Sequence, residues 1–202
     1  MNKLVIFTTV FVLILVFVVP GVLALPIKVV PFNDQPGYST DYKRGVYGKK
    51  VIWQEFTSQE DRLTGIGLSI GNPNLKNKKE VILNLYQGKI SQDSDLGKPI
   101  RQSILNGQNI SDGAFVRFLF DPIANSKNQK YLISLASPDA GDEEVINIFF
   151  TNLKPDWIGE LRHDQEVLAG AMPLVTFHKP QNRSSVIKSV YFDWLKRIVG
   201  IN

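Results

Sequence analysis

Cysteine is absent from the 202-residue chain. This excludes a disulfide scaffold, a thiolate zinc site, an iron–sulfur cluster and a cysteine nucleophile. It also excludes the lipid-bearing cysteine of a bacterial lipoprotein. Histidine is scarce: only His163 and His178 occur, so imidazole-based acid–base chemistry has few options. Both read as surface residues, His163 among Glu160, Arg162, Asp164 and Glu166, and His178 just before Lys179-Pro180. No long run of one charge exists either. The net charge of +4 is spread out, and its densest point, Lys76, Lys78 and Lys79, suits a hairpin tip. A nucleic-acid partner is therefore not expected, because such proteins gather basic residues on one face.

What the chain does have is one long oily stretch at its start. Residues 4–19 are apolar apart from Thr8 and Thr9, and the stretch extends to Leu25. As a helix, residues 4–25 would reach about 33 Å, enough for a hydrocarbon core of about 30 Å. Lys3 supplies the positive flank that keeps the N-terminus cytoplasmic, so everything after the segment is expected outside. Residues 1–25 read as a membrane anchor or a signal peptide. Length favours the anchor, with the protein in the cell membrane; Val22-Leu23-Ala24 offers a cleavage point and a secreted product.

Residues 26–50 read as a linker, with Pro26, Pro31, Pro36, Gly37, Gly45 and Gly48 and no sustained periodicity. From Val51 onward, short apolar runs alternate with turn formers. Thr64, Ile66, Leu68 and Ile70 share one face; Val81, Leu83 and Leu85 another; Val116, Phe118 and Phe120 a third; Tyr131, Ile133 and Leu135 a fourth. Further runs cover residues 51–56, 99–105, 145–150 and 173–177. No sizeable amphipathic helix separates them, which argues against an α/β fold. The expectation is an all-β domain over residues 51–180, an antiparallel two-sheet sandwich of jelly-roll type, with an immunoglobulin-like sandwich as the alternative. Residues 184–201 read as a C-terminal amphipathic helix, and Tyr191, Trp194 and Ile198 on its apolar face are candidates for contact with a partner or a membrane.

Chemistry is thin. Gly67-Leu68-Ser69-Ile70-Gly71 matches the nucleophile elbow of serine hydrolases, but that motif requires a sharp strand-to-helix turn. Ser69 instead falls within an alternating strand, on the face opposite Ile66, Leu68 and Ile70, where solvent is expected. Asp93, Asp95, Asp139, Asp142, Glu143 and Glu144 lack the spacing of a helical calcium loop. No catalytic residue, metal site or cofactor is expected. Among aromatics, Trp53 reads as core, whereas Trp157, in the loop Lys154-Pro155-Asp156-Trp157, and Tyr86 are candidates for stacking on a ligand.

Phe118-Leu119-Phe120-Asp121-Pro122-Ile123-Ala124-Asn125-Ser126, followed by Lys130-Tyr131, and the earlier Gln54-Glu55-Phe56 with Leu63, Gly65 and Ile66, carry a likeness. Over about residues 51–177 the chain resembles an extracytoplasmic β-sandwich domain of bacterial envelope proteins. That domain is often joined to multi-spanning membrane segments and sometimes to glycosyltransferase-type proteins. The resemblance implies a β-sandwich outside the membrane and carries no catalytic residues with it.

The functional expectation is a non-catalytic binding module at the cell envelope, with the membrane and an envelope polysaccharide as its partners. The alternative is a structural accessory subunit that docks on a polytopic membrane protein through the C-terminal helix.

Overall fold

The computed structural model describes residues 3–19, 22, 29–88, 96–182 and 186. Near the N-terminus, α1 (Lys3–Leu13) runs into a π-helical turn at Ile14–Val18. None of the α1 side chains is buried. Among the described residues no helix is long and apolar enough to cross a membrane. The spanning helix expected over residues 4–25 is thus not present within them. The C-terminal helix expected over 184–201, with Tyr191, Trp194 and Ile198, lies outside the described residues.

Pro31–His178 form one compact unit, built almost wholly of strands. In chain order these are β1 (Val30–Pro31), β2 (Ser39–Val46), β3 (Ile52–Thr57), β4 (Leu63–Gly71), β5 (Glu80–Gln87) and β6 (Arg101–Asn106). They continue with β7 (Ala114–Ile123), β8 (Lys130–Ala136), β9 (Ile146–Phe150), β10 (Ile158–His163), β11 (Glu166–Leu168) and β12 (Val175–His178). All registered pairs among β2–β12 are antiparallel. They make two sheets. One has the order β11-β10-β3-β8-β5-β6; in the other, β4 pairs β7 on one side and β12 and β9 on the other, with β2 beyond β9.

Alternation explains the core. Ile52 and Phe56 of β3, Val81, Leu83 and Leu85 of β5, and Tyr131, Ile133 and Leu135 of β8 form the inner face of the first sheet. They join Ile66, Leu68 and Ile70 of β4, Phe118 of β7, and Ile146 and Ile148 of β9 in one buried cluster. The result is a β-sandwich-like body whose two sheets share a single apolar interior.

The stretch read as a linker, 26–50, contributes to this body. β2 pairs β9 with Lys43 opposite Phe149, Arg44 opposite Ile148 and Val46 opposite Ile146. It was opaque because it is a sheet edge: its side chains are mostly polar, and of them only Val46 is in the core. Such polarity protects an edge strand from unwanted pairing.

β4 carries a second correction. Its face opposite the core holds Gly65, Gly67, Ser69 and Gly71, yet every residue of β4 is buried. The missing side chains leave a furrow into which neighbouring strands fold theirs. A Cβ on Gly65 would lie 2.6 Å from Leu119 Cδ2, and one on Gly67 would strike Phe115 of β7 while standing 2.9 Å from Phe177 Cε2. Phe115 and Phe177 meet there at 6.3 Å between ring centroids, and Arg117 lies over the Phe177 ring at 5.4 Å. Cross-strand covering of glycines by aromatic rings is a recognised device for stiffening sheets.

Candidate binding face

The serine in the hydrolase-like motif is not a solvent-facing group. Ser69 is fully buried, and its Oγ accepts a hydrogen bond from Gln35 Nε2 at 2.7 Å. The segment that carries Gln35 runs outside this sheet, and further along it Tyr38 stacks on Phe149 at 4.8 Å. Neither histidine is engaged with Ser69. His163 Nε2 contacts Gly45 O at 3.0 Å, and His178 lies between Asp61 O and Thr176 Oγ1, each 3.1 Å away. His178, read as a surface residue, is buried at 6% exposure. Burial holds its imidazole below the usual value, against weaker upward pulls from the Asp61 carbonyl and the Glu60 and Asp61 carboxylates.

Among the described residues no group of three His, Cys, Asp or Glu side chains is placed to hold a metal ion. In the acidic turn, Glu144 Oε2 accepts from Gly141 N–H at 3.1 Å and so closes its own loop. Asp93 and Asp95 lie outside the described residues.

The chemistry that does converge lies on the outer face of the β11-β10-β3-β8-β5-β6 sheet. Ile52 and Phe56 point inward, so the intervening Gln54 also points in and Trp53 and Glu55 point out. Trp53 is thus half-buried on the outer surface and not in the core, as its parity with Glu55 requires. Register then aligns a row across five strands: Arg162 of β10 opposite Trp53, Trp53 opposite Ser134 of β8, Ser134 opposite Asn84 of β5, and Asn84 opposite Gln102 of β6. The adjoining row sets Glu55 opposite Leu132, and Leu132 opposite Tyr86.

Trp53 and Tyr86 come together diagonally, with ring centroids 5.9 Å apart and planes tilted by 41°. They meet over β8. There Leu132 and Ser134 are only 0% and 2% exposed, although both face away from the core and Leu132 is not part of its cluster. The rings therefore have an apolar bed of their own. Beside them runs a polar ladder: Gln102 Nε2 donates to Asn84 Oδ1 at 2.8 Å, and Asn84 Nδ2 to Ser134 Oγ at 3.5 Å. On the other flank Arg162 is ion-paired with Glu160.

Inside the sheet, Gln54 holds this flank in shape. The β3–β10 register slips between Ile158 and Leu161. Gln54 Nε2 donates to Gly159 O at 3.2 Å and Glu160 O at 3.0 Å, while its Oε1 accepts from Met172 N–H at 3.1 Å. Gly159 is needed at the slip because a Cβ there would stand 2.6 Å from the Glu55 Cβ.

Of the two aromatics expected to stack on a ligand, Tyr86 lies on this face. Trp157 is half-buried against the core and makes an edge-to-face contact with Phe32 at 6.0 Å, so its indole is less open than a loop position suggested. It borders a cleft of about 150 Å³ with Glu55, Thr57, Gly88, Lys130 and Asp156. Glu55 belongs both to this cleft and to the Tyr86 row, so the two candidates flank one region. Trp53, Asn84, Gln102, Ser134 and Arg162 were missed. For Trp53 the signal was available, since it is out of phase with Ile52 and Phe56; the alignment of the others depends on pairing between distant strands.

Taken together, the face offers two half-buried rings and planar amides, with Arg162 paired to Glu160 and the exposed Lys130 of β8 further along. No family model matches the chain, and no curated protein sequence matches it.

Proposed function

We propose that the chain is an exported, membrane-anchored, non-catalytic binding module of the cell envelope whose ligand is a carbohydrate. The observation that carries this reading is the Trp53–Tyr86 pair. Two half-buried rings meet on a sheet face beside hydrogen-bonded amides, above a buried hydroxyl. Aromatic faces pack on the C–H faces of sugar rings while amides exchange hydrogen bonds with hydroxyls.

Two further features support it. The strand orders β2-β9-β4-β7 and β3-β8-β5-β6 are those of two interlocked Greek keys. We infer that the body is a jelly roll, an architecture used by lectin domains, with β10 and β11 extending one sheet. Export is supported by the uncharged stretch of residues 4–25 behind Lys3.

The test is co-sedimentation of the full chain with insoluble wall polysaccharide. Wild type is expected in the pellet and Trp53→Ala in the supernatant; equal retention of the two refutes the reading. Protease added to intact cells should degrade the body, and carbonate-resistant membrane association should distinguish a retained anchor from a segment cut after Ala24.

A further inference from the structure

We propose that the outer face of this sheet is an extended track for the interior of a neutral, linear polysaccharide, laid across the strands along the row Arg162–Trp53–Ser134–Asn84–Gln102. The inference rests on the carbohydrate reading above and adds the direction, length and charge class of the ligand.

Direction follows from register. The five residues are paired partner to partner across β10, β3, β8, β5 and β6, so the row runs perpendicular to the strands. Along a single strand the outward residues change character from one position to the next: Trp53 is followed by Glu55, and Ser134 is flanked by Leu132. Across the strands the Trp53–Tyr86 pair, lying over the buried Ser134, is followed by Asn84 and the exposed Gln102.

Length follows from strand spacing. Neighbouring strands lie about 4.8 Å apart, which makes the row about 19 Å long from β10 to β6. A single sugar residue would occupy only a fraction of it.

The track is open at both ends. Gln102 is exposed on β6, the edge of the sheet. At the other end Arg162 is paired with Val167 of the short β11, and Val167 is 58% exposed. With both terminal positions exposed among the described residues, the track accepts the middle of a chain.

Charge class follows from the ion pair. Arg162 is matched by Glu160, so the row carries no net charge, and beyond it Glu55 and the exposed Lys130 of β8 add one charge of each sign. The remaining accessible groups are amides and rings, which suit a polymer of neutral sugars.

The test uses the full chain. Affinity electrophoresis through gels containing dextran, mannan, hydroxyethylcellulose or glycol chitin, with polygalacturonate as the charged polymer, identifies the retarding polysaccharide. Calorimetry then compares its hexasaccharide and disaccharide. A neutral polymer should retard the protein, and its hexasaccharide should bind at least about ten-fold more tightly than the disaccharide. Gln102→Ala, at an exposed edge position where folding is not at stake, should weaken the hexasaccharide several-fold and leave the disaccharide unchanged. Trp53→Ala should weaken both. Equal binding of the two oligosaccharides, preference for polygalacturonate, or an unaffected hexasaccharide in Gln102→Ala overturns the track while leaving carbohydrate binding intact. Retardation by none of the polymers overturns both.

Discussion

Gln54 is the polar residue on which the binding face depends from below, and replacing it with leucine isolates that role. The side chain is completely buried, and leucine fills a similar volume, so the perturbation is chemical and not steric. Lost are the hydrogen bonds to the Gly159 and Glu160 carbonyls at the register slip, and the acceptor for the Met172 N–H, itself only 1% exposed. A buried polar group left without a partner costs about 1–3 kcal/mol. Met172 N–H and one carbonyl together set a loss of about 2–6 kcal/mol. Burying the leucine side chain returns about 1–2 kcal/mol. The net destabilisation is about 1–4 kcal/mol, which for a body of this size lowers Tm by roughly 2–16 °C. Urea unfolding followed by tryptophan fluorescence and a thermal melt measure it, and the m-value should stay constant. A loss below about 0.5 kcal/mol, the range of ordinary surface changes, would refute the argument that Gln54 satisfies the slipped backbone.

Three other outcomes follow from the same geometry. Gly67→Ala places a methyl group against Phe115 and Phe177 and should cost about 1–3 kcal/mol through overpacking; combining it with Phe115→Leu should restore part of the loss, and a neutral single variant would contradict the packed furrow. For His178 the folded imidazole titrates below its unfolded value of about 6.5, so the unfolded chain binds more protons. Stability should be complete above that pH and decline as the pH falls through it toward the folded value. Comparing urea midpoints of wild type and His178→Gln across this window checks the claim, which fails if both decline alike. Ser69→Ala removes a part-buried hydrogen bond from Gln35, worth about 1 kcal/mol of stability. It should leave hydrolysis of p-nitrophenyl acetate at the wild-type level, and a serine-dependent rate would reverse this reading.

Much of the body was legible in the chain, for reasons that also define where legibility stopped. β5 and β8 announce themselves because Val81, Leu83 and Leu85, and Tyr131, Ile133 and Leu135, alternate cleanly, and burial of one sheet face imposes that period. β10 was invisible because Gly159 and Glu160 sit at the register slip and break its alternation. β2 was taken for a linker because an edge strand has little need of apolar residues. The second face of β4 looked solvent-exposed because small residues were read as surface residues; what covers its glycines are Phe115 and Leu119 of β7, Phe177 of β12 and Phe149 of β9, which no local pattern reveals. Tyr86 was identified on chemistry alone. The row from Arg162 to Gln102 joins residues from five strands spread over much of the chain, and only long-range pairing brings them into line.

The hydrogen bond from Phe32 N–H to Thr176 O, at 2.9 Å, places the two ends of the compact unit on adjacent strands. A body whose ends emerge side by side takes any pull on the chain at a single edge. Tension on the flanking segments would first unzip that terminal seam, pair by pair, before straining the interior. The same geometry lets the unit be spliced into a surface turn of another protein without stretching its host, because the gap to be bridged is no wider than the spacing of two neighbouring strands.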